Sequence, residues 1–427
     1  MLIFTETTSS RLQYICKFIF YEQLGIGYSL TIDSESFKKH DGPKINYSNI
    51  DIEGNIFTIR PEKLLFEKNI QPQVVESFEY NNCKAFFKTK NSDFSFDILA
   101  ASFYLLSRYE EYLPHTQDMY GRYAHENSLA FKEDFLNKPL INIWINDFAK
   151  ALQQQFLELK VKQATFNYIP TYDIDIAWSY KNKGLIRNIG GFIKSPSLNR
   201  LTVLSRISKD PFDCYDYLDE LHKTNQLKPI YFFLVATATG IYDKNISPYE
   251  NAMWQLMKQH SKKYDIGLHP SWRSNEKESI LNKEKKILET ATNHTVTKSR
   301  QHYIKMSLPE TYQQLAKIGI VDEYSMGYGS INGFRASVAS PFYWYDLKNE
   351  AATKLRIHPF CFMDANSFYE QKQSAEQSIG EIMHYYKECK NVNGQFITIF
   401  HNSFLGTDSM YNGWRNLYNE FISQLRQ

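Results

Sequence analysis

Between residues 163 and 427 short apolar runs alternate with longer amphipathic stretches, and several of the runs end in an acid or a histidine. The runs fall at 166–173, 229–235, 264–269, 302–306, 357–363 and 396–401, each of strand length. Between them, 215–225, 249–263, 309–318 and 374–386 are long enough to be crossover helices. Such alternation predicts an α/β fold with a parallel sheet, as a barrel or a doubly wound layer. Polar residues recur at the C-terminal ends of several different strands. This favours a (β/α) barrel, because a doubly wound sheet would gather them at one switch point.

Residues 1–162 follow another pattern. Alternation around 55–59 and 84–88 predicts short strands, and 94–113 reads as a helix carrying Ile98, Leu99, Phe103, Leu106 and Leu113. A second helical stretch sets Ile141, Trp144, Ile145, Phe148, Leu152 and Phe156 on one face and ends just before the run at 166. We therefore expect a smaller α+β domain at 1–162, followed by the barrel at 163–427. No Gly/Ser-rich or Pro-rich linker separates them, so firm packing is expected.

A chain of 427 residues exceeds one typical domain and has apolar content for sizeable cores. Lys plus Arg number 49 against 47 for Asp plus Glu, a net charge of +2, which supplies no field to recruit nucleic acid or an anionic membrane. Five cysteines with no CxxC pair argue against a disulfide framework or a thiolate zinc cage, and fit a reducing compartment. No run of eighteen apolar residues occurs, and the first residues lack a basic region followed by an apolar stretch. A soluble, cytoplasmic protein without a transmembrane segment is expected; the oligomeric state stays open.

The strand ends carry the chemistry. Asp173 and Asp175 in Tyr172-Asp173-Ile174-Asp175 are two residues apart, so on an extended strand they face the same side and can share a metal or a water. Among 47 acids about five such pairs arise by chance, so the apolar strand before the pair and Trp178 after it are what give it weight. His269 closes a strand and is followed by Pro270, which stops the strand and fixes where the imidazole stands. Alone it reads as a strand-end histidine bonded to a backbone carbonyl. His302 and His401 also lie in or at strands, and three imidazoles with two carboxylates on one rim are hard to explain as packing. Asp/His/His with an open position is a catalytic metal set.

The order Thr171-Tyr172-Asp173-Ile174-Asp175, Asp265-Ile266-Gly267-Leu268-His269, an arginine-containing segment and a strand ending in His401 resembles the NodB-homology polysaccharide deacetylases. Arg300-Gln301-His302-Tyr303, Gly333-Phe334-Arg335, Pro341-Phe342 and Phe400-His401-Asn402 are similar to a bacterial branch found among surface-polysaccharide proteins, whose members carry an N-terminal domain of unknown role. The resemblance implies a distorted (β/α) barrel that binds one divalent metal, with zinc the expected ion. It implies Asp173 as general base, Asp175 and His269 as metal ligands and His401 as general acid oriented by Asp364. Arg335, or alternatively Arg300, is the arginine paired with the base. The family's usual second histidine falls at Arg273, and His302 is the best replacement.

The implied activity is that of a metal-dependent hydrolase acting on C–N bonds other than peptides, removing an acetyl group from a sugar or surface-glycan precursor. The substitution at Arg273 motivates an alternative, a catalytically inactive glycan-binding or scaffolding protein in polysaccharide biosynthesis. Trp178, Trp272, Tyr328 and Trp344 are candidates for stacking on sugar rings, or simply core. A further cluster, Arg108 to Glu111 with His115, Asp118, Arg122 and His125, reads most simply as a solvated loop with local salt bridges. The competing reading puts it at the domain interface.

Overall fold

The computed structural model describes residues 1–162, 164–194 and 196–425. Gln163, the expected first residue of the second part, and the last two positions lie outside the described residues. Strands β1 (Leu2–Phe4), β2 (Ser29–Thr31), β3 (Lys44–Asn46) and β4 (Phe57–Thr58) form a parallel sheet in the order β2-β1-β3-β4. Strands β5 (Ser77–Tyr80) and β6 (Cys83–Phe86) make an antiparallel pair. The fully buried helix Ile98–Leu106 starts where the Asp97 carboxylate accepts from the backbone N–H groups of Leu99 and Ala100. It is shorter than the predicted 94–113. Arg108, with φ 54°, stands in the left-handed region and breaks it, and Tyr109–Tyr112 continues as a 3₁₀ turn. The helix Leu140–Gln155 buries Ile141, Trp144, Ile145, Phe148 and Leu152, the face its spacing predicts.

The second part is built on β7 (Asn167–Ile174), β8 (Ile230–Leu234), β9 (Asp265–His269), β10 (Lys298–Ser299), β11 (Asp322–Glu323), β12 (Phe342–Asp346), β13 (Ala351–Ile357), β14 (Phe362–Met363) and β15 (Gln395–His401). They form one sheet in the order β12-β13-β11-β10-β9-β8-β7-β15-β14, parallel except for the β12–β13 pair. Central β8, Ile-Tyr-Phe-Phe-Leu, is buried throughout, as a strand covered on both faces must be. The helix Ala375–Asn391 opens with a capping box between Ser374 and Gln377.

The sheet is strongly curved. β13 stands second and β14 ninth in the ladder, about 34 Å apart if the sheet were flat. Yet only residues 358–361 join Ile357 to Phe362, a link of at most about 18 Å, so the sheet must roll its two ends toward each other. The pairings leave β12 and β14 as edges among the described residues.

Two predicted strands are corrected. The run at 357–363 is two strands, interrupted by Pro359, which has no N–H to donate. The run at 302–306 is no strand. The strand lies earlier, at β10, and His302–Ile304 forms a 3₁₀ turn with Tyr303 at φ 58° and Ile304 at φ 53°.

One apolar core runs through both parts, from Ile3 to Ile422. Polar contacts cross the expected boundary as well: Asn142 Nδ2 donates to Ser340 Oγ at 2.8 Å, and Tyr14 donates to the Tyr343 carbonyl at 2.6 Å. The cluster at 108–111 is buried at this junction, not solvated, which corrects its simplest sequence reading. Arg335 donates to both Glu111 oxygens at 2.8 and 2.6 Å, and Arg108 donates to Glu111 Oε1 at 2.7 Å. Burial pushes the Glu111 carboxyl up, but Arg335 and Arg108 outweigh it and bring it down to about 2.

Candidate metal centre

The polar strand ends meet at one mouth of the rolled sheet. β7 carries Asp173 next to its end, and Asp175 follows one residue beyond the strand; the two carboxylates share a side because side chains alternate. β9 ends on His269, and β15 ends on His401 in register with Asp173. Asp364 follows β14 directly. His302 comes from the turn after β10.

Asp175 is the hub. Its Oδ1 lies 3.1 Å from His269 Nε2, and its Oδ2 lies 3.3 Å from His302 Nε2 and 3.4 Å from His401 Nε2. One ligand atom from each of Asp175, His269 and His302 falls within 4.8 Å of the others. Ligands at about 2.1 Å from a tetrahedral zinc are about 3.4 Å apart, so this spacing fits a divalent cation. Asp175 Oδ1 is buried with no hydrogen-bond donor, an acceptor that a cation would satisfy.

The nitrogens are oriented for that role. His269 Nδ1 donates to the Arg300 carbonyl at 2.6 Å, because a carbonyl can only accept, and this turns Nε2 toward the aspartates. His302 Nδ1 faces Asp243 Oδ1 at 3.1 Å, a carboxylate behind the imidazole of the kind that fixes metal-binding histidines. His401 Nδ1 lies 2.7 Å from Asp364 Oδ1, while Asp364 Oδ2 accepts from the His401 backbone N–H at 2.7 Å. Asp173 Oδ1 accepts from Arg300 at 2.8 Å, and the same Arg300 nitrogen donates to Thr171 at 2.7 Å.

The carboxylates in the site favour positively charged imidazoles. Burial opposes protonation of His302, but Asp175 and then Asp243 raise it to about 9. Burial likewise opposes the His401 proton, and Asp364 and Asp175 hold it well above the ordinary histidine range. Burial raises Asp175, yet His302 and His401 draw it well below the usual carboxylate range.

The site opens on a cavity of about 580 Å³ whose walls include Asp173, Asp175, His269, His302 and His401. Aromatic rings lie to one side: Tyr242 stacks on Trp272 with ring centres 3.9 Å apart, and Tyr303 packs against Tyr120 at 5.3 Å.

Residues 1–157 match a family of unknown function, DUF7033. No curated protein matches the sequence. Among solved structures, the chain is similar to a protein described as a polysaccharide deacetylase from Mycobacterium smegmatis, with 13% identity over 62% of this chain and 85% of that one and a TM-score of 0.40. It is also similar to one so described from Pseudomonas aeruginosa PAO1, with 10% identity, 61% and 84% coverage and a TM-score of 0.37. A third is a CE4-family pseudoenzyme from Bacillus anthracis, with 10% identity, 62% of each chain covered and a TM-score of 0.29.

The structure brings together Asp173, Asp175, His269, His302, His401 and Asp364. It does not bring Arg335, whose guanidinium is spent on Glu111; the arginine beside Asp173 is Arg300. Arg273 is exposed on a short 3₁₀ turn. Of the aromatic candidates, Trp178, Tyr328 and Trp344 are core, and Trp272 belongs to the aromatic group beside the cavity. Sequence reasoning missed Asp243 and Tyr242, which lie on the connection after β8 where no apolar periodicity flags them. It also missed Tyr120 as part of the cavity wall.

Proposed function

We propose that the protein is a metal-dependent hydrolase that removes an acetyl group from an amino sugar or a surface-glycan precursor. The observation that carries this reading is Asp175, His269 and His302 set around one point, with Asp173 and His401 beside them on the same cavity. The resemblance to deacetylases points the same way, and the rolled parallel sheet suits a distorted barrel. Asp175, His269 and His302 would hold a divalent cation, with zinc the first choice for an Asp/His/His set. A cation there polarises an acyl carbonyl and lowers the pKa of a water.

The chain's own groups handle the protons. Asp173 accepts a proton from the attacking water as its oxygen bonds to the acyl carbon, and Arg300 fixes the direction of that carboxylate. His401, held through Nδ1 by Asp364, presents Nε2 to the leaving group and donates a proton as the C–N bond breaks. Acetate and a free amine are the products. The residues 1–162 and 163–427 act here as one body.

Elemental analysis of purified protein, after incubation with zinc, cobalt or nickel, should find about one ion per chain. Acetate release from N-acetylated oligosaccharides should follow metal content. A folded protein that takes up no transition metal would favour the non-catalytic glycan-binding alternative.

A further inference from the structure

We infer that Arg122, from the part of the chain matching the family of unknown function, is a positioning residue for the metal site: it clamps the turn that presents His302. This inference rests on the reading of His302 as a metal ligand. The turn needs a clamp. Tyr303 and Ile304, directly after His302, both stand at positive φ, 58° and 53°. Such a conformation is costly for a non-glycine residue, more so for a β-branched one, and persists only where surrounding contacts over-determine it.

Part of the support is packing, with Ile304 buried and the Tyr303 ring against Tyr120, Tyr242 and Trp272; polar contacts add to it. The Gln301 N–H donates to Ser325 Oγ at 2.8 Å, before the turn. Asp243 holds the His302 ring from behind. At Tyr303, where the backbone is left-handed, its carbonyl accepts from Arg122 Nη1 at 2.6 Å.

Arg122 is itself preset for this one contact. It lies on a tight turn in which the Asp118 N–H donates to the Arg122 carbonyl at 2.9 Å and Gly121 takes φ 72°. The Asp118 carboxylate accepts from Arg122 Nε at 2.6 Å and from the Arg122 backbone N–H at 3.0 Å, so the guanidinium has one direction open to it. Arg122 is 5% exposed, with its guanidinium over the Tyr120 ring at 4.7 Å. Opposite stands Gly329, where an added Cβ would lie 2.0 Å from Arg122 Nη1 and 3.0 Å from the Tyr303 carbonyl oxygen. The absence of a side chain at 329 is what lets the guanidinium reach the turn. A contact built from both sides in this way, across 181 residues of sequence, gives the N-terminal part a role in the site that a separate accessory domain would not have.

Two full-length variants test the inference. Arg122→Ala removes the donor; Gly329→Ala keeps Arg122 and pushes it off the turn. In both, hydrogen exchange at residues 301–306 should rise about tenfold relative to wild type, with the helix Ala375–Asn391 unchanged as the internal control. Cobalt affinity should fall about tenfold, with a shift of the cobalt d–d absorption bands, as His302 loses its fixed angle. Arg122→Lys, which keeps one donor, should recover part of both effects. Folded variants with wild-type exchange at 301–306 and wild-type cobalt affinity would overturn the inference. Wild-type protein that binds no cobalt, while exchange rises in both variants, would remove the metal reading of the site and leave the clamp standing.

Discussion

His302 Nδ1 lies 3.1 Å from Asp243 Oδ1, and the opposite face of the same imidazole, at Nε2, lies 3.3 Å from Asp175 Oδ2. The ring is thus held between two carboxylates, one behind it and one in the site. Removing the rear carboxylate frees the ring to rotate and to lose its tautomer. Asp243→Ala should therefore weaken zinc binding by about tenfold to a hundredfold, and His302→Ala by at least as much. Competition against a chromogenic chelator measures both. Wild-type affinity in His302→Ala would show that another residue supplies the third ligand.

Asp173 is held by Arg300 and is no member of the closest ligand set. Asp173→Asn keeps the shape and removes the proton acceptor. It should bind metal and melt nearly as wild type does, while deacetylation slows by about a hundredfold or more. His401→Ala should act similarly, with the larger loss for substrates whose leaving group is more basic. An Asp173→Asn protein that is metal-loaded and equally active would place the base elsewhere.

The protons around Asp175 compete with any cation. His302, raised to about 9, must lose its proton before Nε2 can bind a metal. Affinity should consequently rise with pH, about tenfold per unit below that value. Buffered zinc titrations at pH 6, 7 and 8 test it, and a flat profile would show that His302 is not displaced from a protonated state.

Away from the site, burial lowers His222 and His260 from the ordinary 6.5 to about 4 each. Both face Tyr231 in the packed layer behind β8. The unfolded chain binds more protons than the folded one between these two values, so stability is complete above the unfolded value and is lost as pH falls through the window. At pH 5 the loss should be about 2 kcal/mol per histidine relative to pH 7. Urea unfolding at both pH values measures it, and the double variant His222→Gln/His260→Gln should show a flatter pH dependence.

The parts of the site at strand ends were legible in the sequence because an apolar run followed by an acid or histidine is a local pattern. Asp173, Asp175, His269 and His401 all announce themselves this way, and Asp364 nearly so. His302 was picked out by its chemistry and placed in the wrong kind of element, because neither Tyr303 nor Ile304 is a residue type that signals a left-handed turn. Nothing in the sequence separates Arg300 from Arg335 as the partner of Asp173, because Glu111, which Arg335 pairs with, is 224 residues away and no spacing rule spans that distance. Asp243 and Arg122 sit in polar, glycine-containing connections whose local pattern is that of any solvated loop.

The buried bridge between Glu111 and Arg335 bears on how this chain can be cut. A fragment beginning near residue 163 would strip Arg335 of its carboxylate and Ser340 of its amide partner, and would open an apolar core that continues unbroken into residues 3–156. The shared core and these contacts cross the change of sequence pattern near residue 162, so the half that carries the candidate metal centre should be produced, crystallised or grafted together with the half that precedes it.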